Sequence, residues 1–370
     1  MEPGAQLRAA REAARVTLRE IARRTHYSPA YLSLIESGKR PVPREVAAAY
    51  NLVLGEPLDG EQAGAEWIAR VAASDVGGDT LDRLELAVDD LAAAYSTTPP
   101  ADLLADIRRH LGYTARLLDG KMTLVQHRRL LVNAGWLSLL AGTCHIDLDE
   151  LPSAAARLKA ASDIAKESEH TEISAWTLET RAWQRLINRE FAAAAELSEA
   201  ARDLAPADSS AYIQATAQQG RALARLGDSA GTYRALRKVA RLVSGMRTPD
   251  RPEHHFRYDP AKADTYVATT LSWLGDPAAE VYARNVVADL ERSPSIRPRR
   301  IAMANLDLGL ALVAANKPEE AADVTLNVVV GGRLVPSHYW RVSEIVSGID
   351  QRDEHSAATL REAFHDTYPA

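Results

Sequence analysis

The stretch VTLREIARRTHYSPAYLSLIESGKRPVP, residues 16–43, holds two short apolar-periodic runs separated by RTHY and ends on a glycine and two prolines. Thr17 and Glu20 stand at capping-box spacing, which predicts a helix beginning at Leu18 with Ile21 and Ala22 on its apolar face. That helix should end near Arg24 and Thr25. Ser28 supplies a second N-cap and Pro29 a first-turn proline, because a proline there forfeits only an amide that has no partner in the first turn. Tyr31, Leu32 and Ile35 then fall at core spacing, and Gly38 provides the stop. Two helices of about eight to ten residues with a three- or four-residue turn between them form a helix-turn-helix pattern.

The flanking segments complete a small core. LRAAREAARV precedes the pair as a first helix, and PREVAAAYNLVLG follows it as a fourth. The charge distribution supports a separate head. The chain of 370 residues has a net charge of −6, yet residues 1–55 hold nine Lys or Arg against five acids, so the remainder carries −10. A basic head on an acidic body confines any nucleic-acid contact to the head.

These pieces, LRAARE, TLREIARRT, SPAYLSLIESGKRPVP and VAAAYNLVLG, together resemble the lambda-repressor and Cro type of helix-turn-helix in the Xre-like family. The resemblance implies that the helix starting at Ser28 enters the major groove of double-stranded DNA. On that basis Pro29, Ala30, Ser33 and Leu34 face the groove, and Ser28 and Tyr31 complete the reading helix. Thr17, Arg19, Lys39 and Arg40 are expected at phosphates. Many members of the family carry Gln where Arg19, Pro29 and Ala30 stand here, so readout should lean on thymine methyls, Ser33 and DNA shape. Glu36 is expected as a charge-paired structural residue.

Beyond the head, apolar residues recur at spacings of three and four almost throughout, which predicts an all-α chain. Even TLNVVVGGRL, the one strand-like run, is read as a helix end. Residues 61–120, with AEWIARVAA, TLDRLELAVDDLAAAY and PADLLADIRRHLGYTARLLDG, are expected as a helical linker with a possible dimer contact. From 121 to 370 the punctuation becomes regular. The unit AWTLETRAWQRLINREFAAAAELSEAARDLAP, residues 175–206, places Ala182 at a helix crossing. Phe191 opens its second helix, Ala194 and Ala201 form a close-packing face, and Pro206 ends it. It resembles a degenerate tetratricopeptide repeat, with Arg181 and Ser198 where that family prefers large apolar residues. Gly135, Gly220, Ala268 and Gly309 mark comparable crossings, so about five helix pairs are expected, with a sixth or a cap in 335–367.

The expected architecture is therefore an N-terminal domain at 1–60, the linker, and a tetratricopeptide-like α-solenoid at 121–370. This order resembles the peptide-sensing, quorum-sensing regulators of Gram-positive bacteria and the repeat-bearing regulators of actinomycetes. That resemblance implies a transcriptional regulator, acting as a homodimer, whose inner face takes a short peptide or small signalling molecule. In the register of the crossings, Arg129, Trp136, Trp176, Glu179, Trp183, Gln214, Arg221 and Thr269 point inward, with Asn133 and Asn305 close by. The alternative is a scaffold whose repeats recruit a protein while the head only tethers it to DNA.

Other chemistry is thin. A single cysteine, Cys144, permits no intrachain disulfide, and the longest apolar runs are too short to span a membrane, so a cytoplasmic location is expected. Neither His254-His255 nor Cys144-His145 has zinc-ligand spacing around it, and no phosphate loop or hydrolase motif occurs. No cofactor, no metal and no enzymatic activity are expected.

Overall fold

The computed structural model describes residues 2–25, 27–54, 74–292 and 297–368, and among these it contains no strand. The chain divides into two compact units, residues 1–74 and 75–370.

Among the described residues the first unit holds four helices, α1 (Pro3–Ala13), α2 (Leu18–Thr25), α3 (Pro29–Glu36) and α4 (Arg44–Leu54). Their amphipathic faces converge on Ile21, Leu32, Ile35, Val46 and Tyr50, all essentially fully buried. Burying each of the four aliphatic side chains contributes about 1.5–3 kcal/mol. The Ser28 hydroxyl accepts from the Tyr31 amide at 3.2 Å, as the sequence predicts for an N-cap. At α2 only half of the capping box forms. Thr17 Oγ1 accepts from the Glu20 amide at 3.2 Å, but the Glu20 carboxylate turns outward to Arg23 and Arg24. Two guanidiniums outcompete one backbone amide for it. Gly38, at φ 71°, takes the left-handed conformation that lets the chain leave α3.

The second unit begins with α5 (Gly78–Ala94) and α6 (Pro100–Leu118) and continues as antiparallel pairs. These are α7 (Leu124–Asp147) with α8 (Leu151–Glu167), α9 (Thr171–Ile187) with α10 (Phe191–Leu204), and α11 (Ser210–Arg225) with α12 (Ser229–Val243). Then follow α13 (Lys262–Leu274) with α14 (Ala278–Arg292), α15 (Pro298–Ala314) with α16 (Pro318–Val330), and α17 (Tyr339–Asp350) with α18 (Glu354–Thr367). Five of the turns within pairs use a single left-handed residue, at Asp149, Arg189, Gly227, Gly275 and Asn316. The five pairs share this kind of turn although the side chains around it vary.

The crossing residues explain why the pairs approach closely. A Cβ on Gly220 would sit 3.0 Å from that of Ala235, and one on Gly309 would meet Thr325 Oγ1 at 2.7 Å. Ala182 and Ala268 are likewise buried. Within the 175–206 unit Arg181 is exposed, and Ser198 is buried with its hydroxyl donated to the Ala194 carbonyl at 2.7 Å. The hydroxyl thus satisfies itself locally where a larger apolar side chain would otherwise pack.

The helices α5 and α6 differ from a free linker. Val88, Leu91, Leu103 and Ile107 share one core with Leu137, Leu140 and Leu158, so residues 75–120 belong to the second unit. The amphipathic pattern of this segment is therefore satisfied within the chain. The helix expected from AEWIARVAA, residues 65–73, lies outside the described residues.

Candidate functional sites

In the first unit, α3 presents Pro29, Ala30, Ser33 and Leu34 as exposed residues on one side, with Leu32 and Ile35 anchoring the other. Ser28 is exposed and Tyr31 is half-buried. The Arg40 guanidinium lies 5.6 Å from the Tyr31 ring centre, joining the residues after α3 to the helix itself. The helix is held from behind by Glu36, which takes a bidentate contact from Arg11 at 2.7 and 2.8 Å and the Tyr50 hydroxyl at 2.8 Å. Glu36 is therefore structural.

The cations of this unit fall into two groups. Arg8, Arg11, Arg23 and Arg24 are committed to Glu12, Glu36 or Glu20. Arg15, Arg19, Lys39, Arg40 and Arg44 are exposed and, among the described residues, form no ion pair with a carboxylate. An exposed, unpaired cation gives up only bound water and counterions when it meets a phosphate, whereas a paired one must first break its bridge.

In the second unit a cavity of about 240 Å³ opens among the first helices of successive pairs. Trp176, Glu179, Thr180 and Trp183 come from α9, Gln214, Gln218 and Arg221 from α11, and Lys262, Thr265, Tyr266 and Thr269 from α13. Arg299, Arg300, Met303 and Asp307 come from α15 and Arg341 from α17. Within each helix the residues recur at spacings of three, four and seven, one helical stripe per repeat. Tyr95, Ser96, Glu253, His255 and His338 close the edges.

Six of the ten residues expected on the inner face line this cavity, namely Trp176, Glu179, Trp183, Gln214, Arg221 and Thr269. Four do not. Arg129 is bound to Asp82 and Glu85 of α5 at 2.5 and 2.7 Å, because α5 covers the surface that a free solenoid end would expose. Asn133 is buried within α7. Trp136 packs on Phe256, with ring centres 4.7 Å apart, and lies beneath the 246–260 segment. Asn305 donates to the Ile301 carbonyl at 2.9 Å and borders a separate depression with Asn327 and Arg333.

That 246–260 segment, MRTPDRPEHHFRYDP, reads in sequence as a loop, yet it is a structural strap. The His255 amide donates to the Ala92 carbonyl at 3.0 Å, Arg257 reaches Asp89 at 2.8 Å, and Phe256 enters the core beside Trp136 and Trp176. Its density of aromatic and histidine residues inside a proline-rich run was the available signal. Burial holds the His255 imidazole well below its usual range, so it is neutral at pH 7. Among the described residues no group of three His, Cys, Asp or Glu could hold a metal ion.

A second tie joins distant repeats beside the cavity. Asp147, fully buried at the end of α7, accepts from Arg299 at 2.6 Å, Tyr95 at 2.7 Å and Ser337 at 2.6 Å. These partners lie up to 190 residues away in sequence. The nearby Cys144 thiol is pushed up to about 12 by burial, which leaves it unreactive as a thiolate.

Glu179 is 5% exposed and accepts from Gln214 Nε2 at 3.0 Å. Burial raises its pKa from 4.5 to about 7, against opposing effects from Gln214, Arg221 and Lys262. Between those two values the folded chain keeps a proton that the unfolded chain releases, so stability falls as pH rises through this window and levels off above it. Glu179→Gln removes that dependence. The variant is expected to melt higher than the native protein at pH 8, with the difference vanishing toward pH 4.5; a gap independent of pH would refute this assignment.

The four-helix arrangement, the exposed α3 face and the free cations beside it are the features of a DNA-reading helix-turn-helix. Residues 3–59 match the family model described as "Helix-turn-helix domain". The first unit accordingly carries a helix-turn-helix domain, and such a domain points to a DNA-binding regulator. A comparison with curated proteins finds no match. None of the described helices is long and apolar enough to cross a membrane.

Proposed function

We propose that the protein is a ligand-responsive transcriptional regulator that binds duplex DNA as a homodimer through α3 and senses a small molecule in the cavity of its second unit. The observation that carries the DNA-binding part is the exposed Pro29, Ala30, Ser33 and Leu34 face flanked by the unpaired Arg19, Lys39 and Arg40. Leu34, 38% exposed, is suited to a thymine methyl, and Ser33 to a base-edge hydrogen bond. Thr17 already caps α2 through its side chain, so its phosphate contact is the weaker member of the set.

The sensing part is supported by a cavity built from one stripe of each successive first helix. Ligand contacts there couple to the relative tilt of several repeats at once. The pairs read best as degenerate tetratricopeptide-like repeats, whose inner faces suit ligand capture. A cavity of this volume, bordered by the strap, favours a compact molecule over an extended peptide, and the charged and polar side chains that converge on its apolar surface favour a ligand over a protein surface.

Selection of bound fragments from random duplex DNA by the full-length protein tests the proposal. We expect enrichment of two-fold related half-sites about 10 bp apart, or a multiple of that spacing, with affinity falling steeply with salt. No enrichment over the starting pool would refute it.

A further inference from the structure

The cavity contains more positive charge than its own carboxylates neutralise. Five cations line it against three acids. Arg299 is taken by Asp147, Arg300 by Glu253 and Asp259, and Arg341 by Asp307. Arg221 and Lys262 remain, and neither forms an ion pair with Glu179, the one lining acid left over. Burial lifts the Glu179 carboxyl toward its neutral form near pH 7, which deepens the imbalance.

Arg221 is 3% exposed, and its Nε and Nη2 have no hydrogen-bond partner. Those two atoms form the side-on edge of a guanidinium. The same edge grips Glu36 on Arg11 and Glu85 on Arg129 in this protein. On Arg221 only Nη1 is used, donating to Gln218 Oε1 at 3.0 Å, and Gln218 Nε2 is itself buried without a partner. A buried fork and a buried amide donor without acceptors are costly unless something anionic completes them. Lys262, half-buried at the start of α13, lines the cavity, and among the described residues its ammonium forms no hydrogen bond or ion pair. Beside these donors stand the rings of Trp176 and Tyr266, and the Arg221 guanidinium lies 5.3 Å from the Tyr266 ring centre.

We propose that this cavity binds a small organic anion, its carboxylate or phosphate group held by Arg221 and Lys262 and its flat apolar body against Trp176 and Tyr266. The proposal deepens the ligand-sensing reading and, for its regulatory consequence, rests on it. Two orphan donors on a planar fork select a planar or tetrahedral oxyanion over a neutral acceptor, because only a charged oxygen pair repays the desolvation of both cations.

The test is calorimetric titration of the full-length protein with 1-naphthoate, phenyl phosphate and the neutral 1-naphthamide. At least one of the two anions is expected to bind at least about tenfold more tightly than the amide, and which of them binds better distinguishes carboxylate from phosphate. Lys262→Gln, checked by circular dichroism for folding, is expected to lose about tenfold in anion affinity, and Lys262→Arg to retain it within about threefold. Arg221→Met, likewise checked for folding, should lose at least as much. Equal binding of the amide, binding of none of the three, or an unchanged Lys262→Gln overturns the proposal. DNA binding measured on the same samples separates the two readings: anion binding that leaves operator affinity unchanged refutes the sensing role alone, and DNA binding by a protein that takes no anion refutes the ligand class alone.

Discussion

Reversing both charges after α3, in the variant Lys39→Glu/Arg40→Glu, is expected to lower DNA affinity on the order of 100-fold at moderate salt without unfolding the first unit. Among the described residues neither side chain is paired with a carboxylate, and both are exposed, so their loss costs the fold little. Each is expected to neutralise a phosphate. The slope of log affinity against log salt should therefore shrink by roughly two per head, and the loss should be similar for every DNA sequence. Fluorescence anisotropy across a salt series measures both quantities. Ser33→Ala is the contrast, since a base-edge contact changes sequence preference while leaving the slope intact. A charge-reversed variant that binds as tightly as the native protein would remove these residues from the DNA interface.

The second large effect concerns the tie at Asp147. Asp147→Asn leaves the Arg299 guanidinium without its carboxylate and turns an amide donor toward one or more of the three groups that now donate to it. Breaking a buried ion pair at one partner costs about 3–5 kcal/mol, because the surviving charge remains desolvated. For a unit of this size that corresponds to a fall in Tm of roughly 10 °C. The exposed Lys159–Asp163 pair provides the control, with side chains 76% and 54% exposed. Asp163→Asn there should change stability by less than about 1 kcal/mol. Equal melting temperatures for Asp147→Asn and Asp163→Asn would show that the tie does not hold the distant repeats together.

The helix-turn-helix was legible because every signal for it is local. Ser28 and Pro29 start α3, Gly38 ends it, and Leu32 and Ile35 set its buried side, all within about three helical turns. The closely packed helix pairs of the second unit were legible in the same way, through small residues such as Gly220 and Gly309 that only a close helix crossing explains. Less local features were read less well. The helices of 78–118 look like any amphipathic connector, and only the shared core with Leu137 and Leu140 assigns them to the second unit.

The candidate cavity was half legible for a related reason. Helical periodicity puts Trp176, Glu179, Trp183, Gln214, Arg221 and Thr269 on the inner stripe, since residues three, four and seven apart share a face in any helix. It could not reveal that α5 would engage Arg129, that the strap would cover Trp136, or that Lys262, Tyr266 and Arg341 would complete the lining. Alone, then, the sequence determined the elements, their amphipathic faces and the DNA-reading head, because capping and periodicity act over a few residues. The tertiary structure decided which charges are cancelled and which stay free, because Asp147 meets Arg299 and the Nε and Nη2 of Arg221 are left without a hydrogen-bond partner only after helices as far apart in the chain as 152 residues have packed together.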